Sequence, residues 1–308
     1  MKKISVVIPV YNEEENILEL YGRLIKVLNN DFSSMIYEIV YVDDGSTDTT
    51  FDILKCLNKK NDNIKIVQLS RNFGHHIAIT AGMDYVDGDF IITMDGDLQD
   101  QPEEIIKLYR KLQNGYDVVF GDRQNKKFSV FKRFCSRVFA FFVSILISDK
   151  IIVNSHVFRI MTKQVVDNVK SCRETNRYVI GLIGWVGFKH SSVPVEHGAR
   201  FKGETKYKFS QLISLAFDAI FAFSDKLLRF IVRFGLLMIV FSFALMLYLI
   251  LRKSLYGGFV KGWASLISAI FFIGGIQICI LGVLGEYLGR LYMEAKQRPL
   301  YIVRKFIK

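Results

Sequence analysis

Five short apolar runs, each of strand length and each ending in a polar cluster, constrain this chain more than any other feature. They are Ile4–Val10, Ile39–Val42, Ile64–Leu69, Phe90–Met94 and Val118–Phe120, with helical patterns around 14–29, 47–59, 75–86 and 102–114 between them. Strands alternating with helices predict a parallel, doubly wound α/β sheet. Continuous Val/Ile runs fit strands buried on both faces. The runs lead into Tyr11-Asn12-Glu13, Asp43-Asp44-Gly45-Ser46, Ser70-Arg71-Asn72, Asp95-Gly96-Asp97-Leu98-Gln99-Asp100 and Asp122-Arg123. Open α/β sheets bind ligands at the carboxyl ends of their strands, so the clusters should converge on one crevice.

The rest of the chain has a different character. Residues 1–122 carry the alternation, 123–228 are basic, aromatic and mixed, 229–289 are dominated by apolar stretches, and 290–308 form a basic tail. Phe234–Leu251 and Gly262–Gly285 contain no charge. About 20 apolar residues cross a bilayer core, so spans are expected near 230–251 and 263–285, joined as a hairpin by Arg252–Lys261. The mean hydropathy of +0.24 agrees with membrane contact. Basic residues in the tail put both termini in the cytoplasm and the protein in the cell (inner) membrane. No signal peptide is expected, because Glu13, Glu14 and Glu15 follow the first apolar run at once. Four scattered cysteines without a CxxC pair argue against a zinc site or a disulfide framework.

A net charge of +11 beside this hydrophobicity suggests an anionic membrane face or phosphate ligands, with nucleic acid as the competing reading. The stretch 123–148 holds Arg123, Lys126, Lys127, Lys132, Arg133 and Arg137 with no acidic residue, and Phe131, Phe134, Val138 and Phe142 at helical spacing. An interfacial helix on an anionic leaflet fits. RNA binding or a core-facing helix with a solvated basic side would use the same residues. The two spans nearby favour lipid over nucleic acid.

Asp95 and Asp97, with Gln99 two residues on, carry the most chemistry. Carboxylates spaced i, i+2 in a turn can face one hard cation, and Mg²⁺ or Mn²⁺ commonly bridges a carboxylate to phosphates. A bare DxD also occurs in solvated surface turns. Asp43 and Asp44 can accept hydrogen bonds from a ribose hydroxyl or a base N–H, while Ser46 or Thr47 could simply cap the next helix. With no GxGxxG at either early helix and no GxxxxGK[ST], a dinucleotide oxidoreductase and a P-loop NTPase lose their support. His75 and His76 read as a helix start, Glu286 and Arg290 as an i, i+4 pair, Trp185 as core and Trp263 as part of an interface belt.

PVYNEEENI at 9–17, VDDGSTDTT at 42–50, LSRNFGHHIAITAGMDYV at 69–86 and MDGDLQDQPEEI at 94–105 resemble family 2 glycosyltransferases of the GT-A fold. The polyprenyl-phosphate branch is the nearest in pattern, and ARFKGETKYKFSQLISLAFDAIFAFS at 199–224 resembles the juxtamembrane region of its anchored members. The resemblance covers nearly the whole chain. It implies a GT-A sheet, juxtamembrane amphipathic helices and a two-helix transmembrane hairpin. By position it assigns Pro9, Tyr11, Glu13, Asp43, Asp44 and Asp95 to the nucleotide. It assigns Asp95, Asp97 and Gln99 to metal, and Arg123 to phosphate. Arg200, Gly203, Thr205 and Lys206 fall where the acceptor head group is expected, with Lys132 in the basic stretch before them.

The implied reaction is inverting transfer of a sugar, by default from UDP-glucose, to polyprenyl phosphate, giving a lipid phosphosugar for the cell envelope. Catalysis would rest on Asp95, Asp97 and Arg123. A homo-oligomer, possible as a tetramer, is implied by the same relatives. The sequence departs from the pattern at NSHVFRIM, where many members have an aspartate before the Phe-Arg pair. Here Val157 precedes Phe158-Arg159, with His156 before it. A phosphate acceptor is already anionic, so a strong base is not required. No QxxRW is present, which argues against a processive polymerase. A glycerolipid acceptor, or a catalytically degenerate scaffold, are the rival readings.

Overall fold

The computed structural model describes residues 1–123, 157–175, 177–196, 198 and 262–308, and seven separate positions between 234 and 255. The elements in chain order are β1 (Lys3–Val10), α1 (Ile17–Asp31), β2 (Ile36–Asp43), α2 (Thr50–Asn58), β3 (Ile64–Leu69), α3 (His75–Asp84), β4 (Phe90–Thr93), a 3₁₀ turn (Pro102–Glu104), α4 (Ile105–Leu112), β5 (Val118–Arg123), β6 (Arg159–Thr162), α5 (Lys163–Ser171), α6 (Val179–Trp185), β7 (His190–Val195), α7 (Trp263–Ala295) and β8 (Val303–Ile307).

All eight strands form one sheet in the order β7-β5-β6-β4-β1-β2-β3-β8. Pairs β4-β1, β1-β2, β2-β3 and β5-β7 are parallel, whereas β6 runs antiparallel to β4 and β5, and β8 to β3. The five expected strands are therefore present, and β6, β7 and β8 are additions. β6 and β8 are too short and too polar for a sheet-like run to stand out in the sequence.

The register alternates as a two-faced sheet requires. Ile4, Val6, Ile8, Ile39, Tyr41, Ile64, Ile66 and Ile92 join one core with Ile17, Leu20, Leu24 and Leu28 of α1 and Ile105, Leu108 and Leu112 of α4. Those helical residues recur at three- and four-residue spacing, which makes one apolar stripe. The 3₁₀ turn with Pro102 at its first position leads into α4. The other face packs α3, whose Ala78, Ile79, Ala81 and Met83 are buried. A side chain on Gly82 would collide with Val7, so the small residue lets α3 lie close against the sheet. The buried central strands hold their ends still, and that rigidity is what positions the loops beyond them.

Two compact units are present: Met1–Ser214 with Pro299–Lys308, and Leu215–Arg298. The stretch 290–308 is thus not a free tail. Helix α7 runs on to Ala295, and Val303–Ile307 returns as β8 beside β3. Tyr301 Oη donates to Asp84 Oδ2 at 2.7 Å, and the Phe306 ring lies 4.8 Å from that of Tyr85. Within α7, Ile273–Ala295 is long and apolar enough to cross a membrane, with none of that window buried. Arg290 Nε pairs with Glu286 Oε1 at 2.9 Å, as the i, i+4 spacing predicts. The positions described at 234, 240, 241, 244, 248, 251 and 255 are all helical, and the remainder of the first expected span lies outside the described residues. Trp185 is not in the core. It ends α6 at 72% exposure, just before the turn at Gly187, while Val179–Ile183 of the same helix are buried.

Candidate active site

Six strands point the same way, so the polar clusters after β1, β2, β3, β4 and β5 gather at one edge of the sheet, as expected. β6 and β8 run the other way and begin at that edge, β6 with Arg159 and β8 with Val303 opposite Leu69.

The loops after β1 and β2 are laced together. Asn12 has φ +53°, its N–H donates to Ser46 Oγ at 3.0 Å and its Oδ1 accepts from Thr47 N at 2.8 Å. Glu13 N donates to Thr50 Oγ1 at 2.9 Å. Helix α2 starts at Thr50, so Ser46 and Thr47 do not cap it. Asp48 Oδ1 accepts from Thr50 N at 3.0 Å, and Glu14 Oε2 accepts from Thr49 N at 2.9 Å. Ser46 and Thr47 are used to hold Asn12 instead. Glu13 Oε2 accepts from Asn16 Nδ2 at 2.7 Å, which turns that carboxylate toward the start of α1. Pro9 is buried inside β1, in register with Val42, and Tyr11 is half-buried beyond the strand end.

Asp43 and Asp44 are both buried. Asp43 accepts from Ser46 N at 2.9 Å and from Gln68 Nε2 at 3.2 Å. Asp44 accepts from Phe73 N at 2.7 Å and Gly74 N at 2.9 Å, one on each oxygen. Burial pushes the Asp44 carboxyl above its usual range despite these two bonds. Asp44 therefore organises the loop after β3 as well as facing the edge. Gly45 has φ +73° and packs on the backbone of Arg71 and Asn72, where any side chain would clash.

Beyond β4, Asp95 N donates to Asp100 Oδ2 at 3.3 Å, and Asp97 Oδ1 accepts from Gln99 N at 3.1 Å. Leu98 sits between them at φ +63°, a conformation that a branched apolar residue adopts only where its surroundings fix it. His75 does begin α3, and its Nε2 also lies 3.4 Å from Asp95 Oδ1. Burial lowers the pKa of His75 to about 4 and that of His76 to about 3, helped by the charge of Arg159. Both imidazoles are neutral at pH 7, so His75 and Asp95 are not an ion pair. Arg159, at the same edge, is not singled out as a site residue by any of the sequence motifs. The available signal was an arginine inside an otherwise apolar strand segment, Phe158–Met161.

Asp95, Asp97 and Gln99 offer only oxygen donors to a cation, the chemistry that suits Mg²⁺ or Mn²⁺. Among the described residues no three His, Cys, Asp or Glu side chains are grouped to enclose a metal. Mg²⁺ usually takes one or two carboxylates and completes its shell with substrate phosphates and water, so this donor set fits it. Arg123 ends β5 opposite Val195, with its backbone at the same edge. Lys132, His156, Arg200, Gly203, Thr205 and Lys206 lie outside the described residues.

A mixed sheet with acidic loops at the carboxyl ends of β1, β2 and β4 defines a glycosyltransferase domain of the GT-A type. Residues 5–170 match the family described as glycosyl transferase family 2, and the chain belongs to that family. It is 37% identical over 307 residues to a prophage bactoprenol glucosyl transferase homolog of Escherichia coli (strain K12), covering 99% of this chain and 100% of that one. It is 34% identical over 314 residues to an undecaprenyl-phosphate 4-deoxy-4-formamido-L-arabinose transferase of Enterobacter sp. (strain 638), covering 99% and 94%. In fold it resembles glucosyl-3-phosphoglycerate synthase from Mycobacterium tuberculosis, solved with Mn²⁺, UDP and glucosyl-3-phosphoglycerate. The TM-score is 0.53 at 17% identity, over 71% of this chain and 78% of that one.

Proposed function

We propose that this glycosyltransferase moves a sugar from a nucleotide donor, by default UDP-glucose, to a polyprenyl phosphate at the cytoplasmic face of a membrane. The observation that carries the reading is the meeting of the Asp43-Asp44 loop and the Asp95–Asp97 turn at one sheet edge, in a chain that also contains a 33-residue apolar helix. The relatives named for bactoprenol and undecaprenyl phosphate support the acceptor class.

In this mechanism Asp43 and Asp44 hold the nucleoside half of the donor, within loops already fixed by Asn12, Ser46 and Gly74. Asp97 and Gln99, with Asp95, would hold a divalent cation, whose chemistry when bound would be to neutralise charge on the leaving diphosphate. The acceptor phosphate oxygen attacks the anomeric carbon in line. A new C–O bond forms as the bond to the diphosphate breaks, with inversion, leaving a nucleoside diphosphate and a lipid phosphosugar. That oxygen is anionic already, so no side chain has to remove a proton, and Val157 in place of the usual carboxylate does not prevent the reaction. Arg123 at the end of β5 would meet phosphate.

Chain connectivity sets the membrane topology of this reading. β1 and β8 belong to one sheet, so the two ends of the chain lie on one side of any membrane. A single crossing by Ile273–Ala295 would separate them. This reading therefore takes an even number of crossings, with the uncharged stretch 234–251 as the second span.

The test is transfer of radiolabelled sugar from a panel of nucleotide sugars to undecaprenyl phosphate by the full-length protein, beside Asp97→Ala. An organic-soluble product that disappears with EDTA and in the variant is expected. Transfer to diacylglycerol and not to the polyprenyl phosphate would replace the acceptor class.

A further inference from the structure

Arg159 opens β6 at the carboxylate edge, in register with Thr93 of β4 and Phe120 of β5. Its side chain is fully buried, and Nε, Nη1 and Nη2 have no hydrogen-bond partner among the described residues. A guanidinium presents five N–H donors in a planar fork, and burying one unpaired is among the costliest arrangements a fold can hold. The other buried charges of this domain are treated differently. Arg177 donates to the carbonyls of Cys172 and Val169, and Glu38 pairs with Lys3 and Lys65.

The surroundings of Arg159 point toward the reacting edge. Asp95 and Tyr178 are the groups whose fields favour its charge, although neither bonds to it. Tyr178 stacks edge-on against His76, with ring centres 5.4 Å apart, and His75 lies against Asp95. Burial lowers the guanidinium pKa only to about 10, so the charge persists at pH 7. The two imidazoles cannot balance it. No described carboxylate bonds the fork, and an oxyanion with two oxygens, the geometry that phosphate provides, matches it.

We propose that Arg159 is a phosphoryl-oxyanion receptor of the transfer site, filled by a phosphate group of the donor or of the acceptor when substrate binds. The assignment rests on the glycosyltransferase reading above. Arg159 is thus a binding residue, and its burial in the unliganded protein keeps the fork dry and its hydrogen bonds strong once the anion arrives.

Full-length protein in detergent micelles is compared with Arg159→Met and Arg159→Lys by calorimetric titration in Mg²⁺ and by thermal melting. The probes are UDP and GDP, their nucleosides uridine and guanosine, and undecaprenyl phosphate. For the Met variant, the unliganded protein should melt at or above the wild-type temperature, because an uncompensated buried charge has gone. Its Kd for the nucleoside diphosphate that wild type binds should rise about tenfold or more, with the nucleoside unchanged. A rise confined to undecaprenyl phosphate supports the same role with the acceptor as the source of the phosphate. Unchanged affinity for every phosphate overturns the assignment, as does a nucleoside Kd that rises by the same factor as the diphosphate Kd. If the Met variant does not fold, Arg159→Lys decides by the same criteria, since that substitution keeps the charge and removes the fork. Wild type that binds no phosphate probe overturns the transferase reading and this role together, whereas wild-type binding that the variants share overturns only the role of Arg159.

Discussion

Gly45→Ala should disable the proposed nucleotide edge through the backbone alone, from a position with no side chain of its own. At φ +73° an L-residue costs about 1–2 kcal/mol over glycine. An added Cβ would also lie 2.5 Å from the Arg71 carbonyl carbon, 2.8 Å from Asn72 N and 2.9 Å from Arg71 Cα. All three are backbone atoms, so no side chain can swing away and the 71–72 segment must shift. That segment continues into Phe73 and Gly74, whose N–H groups hold the buried Asp44 carboxylate at 2.7 and 2.9 Å. Losing one hydrogen bond to a charged group costs about 1.5–3 kcal/mol more. The sum is about 3–5 kcal/mol, which for a domain of this size lowers Tm by roughly 10 °C. Gly115→Ala is the control, because Gly115 has φ +84° and open space where its Cβ would be. It should cost the backbone term alone, a few degrees. Differential scanning fluorimetry of both variants, with nucleoside diphosphate titrations, gives the comparison. Equal melting temperatures for the two variants, with wild-type nucleotide affinity in Gly45→Ala, would refute the claim that this close approach holds the Asp44 loop.

Three further outcomes are expected. Burial alone would raise the Glu38 pKa, but hydrogen bonds from Lys3, Lys65, Ser5 and Asp87 N outweigh it and bring it down to about 2. A depressed carboxylate stabilises the fold above its unfolded value and loses that contribution as pH falls through the folded value. The urea midpoint gap between wild type and Glu38→Gln should therefore be full at pH 7 and shrink between about pH 4.5 and pH 2. Tyr301→Phe removes the donor to Asp84, which keeps its two bonds from Arg173 at 2.8 and 2.9 Å, so the loss should be about 1 kcal/mol, read as a Tm drop of a few degrees. Even membrane parity predicts that alkaline phosphatase fused within 252–261 is active, while a fluorescent protein fused at the C-terminus is bright. A bright fluorescent fusion in the 252–261 loop would contradict that parity.

The parts of this fold that sequence reveals are those with a periodic signal. Ile4–Val10 and Ile64–Leu69 coincide with β-strands because both faces of those strands are covered, so nearly every residue is apolar. The same logic found α1 from its stripe of Ile17, Leu20, Leu24 and Leu28. β8 was hidden because its sequence, VRKFI, has one exposed edge and alternates poorly, and its place beside β3 is a contact across more than two hundred residues. The acidic site was legible as clusters at strand ends. Its internal wiring was not, because whether Ser46 caps α2 or holds Asn12 depends on where two loops cross. Arg159 stands in the sequence beside a missing aspartate, and its place in the apolar run Phe158–Met161 hints at burial, but nothing local says whether the guanidinium finds a partner.

The carboxylate edge poses a charge problem that narrows how it can work. Asp43, Asp44, Asp97 and Asp100 are buried, Asp95 stands among them, and His75 and His76 contribute no charge. Both proposed substrates are anions. At about 5 Å and an effective dielectric near 20, each like-charge pair costs about 3 kcal/mol, so such an edge alone would repel a diphosphate. A divalent cation would reverse the sign, because two of those carboxylates, Asp95 and Asp97, are its proposed ligands. Arg159 adds a further positive charge from within the sheet, where solvent does not screen it. Cation and arginine therefore act on different terms. Removing the metal leaves the carboxylate repulsion unbalanced, whereas removing Arg159 takes away directed hydrogen bonds while the metal still neutralises the edge. Donor binding should accordingly lose more in EDTA than through Arg159→Met, and the two losses should not simply add, since both act on the same phosphate group.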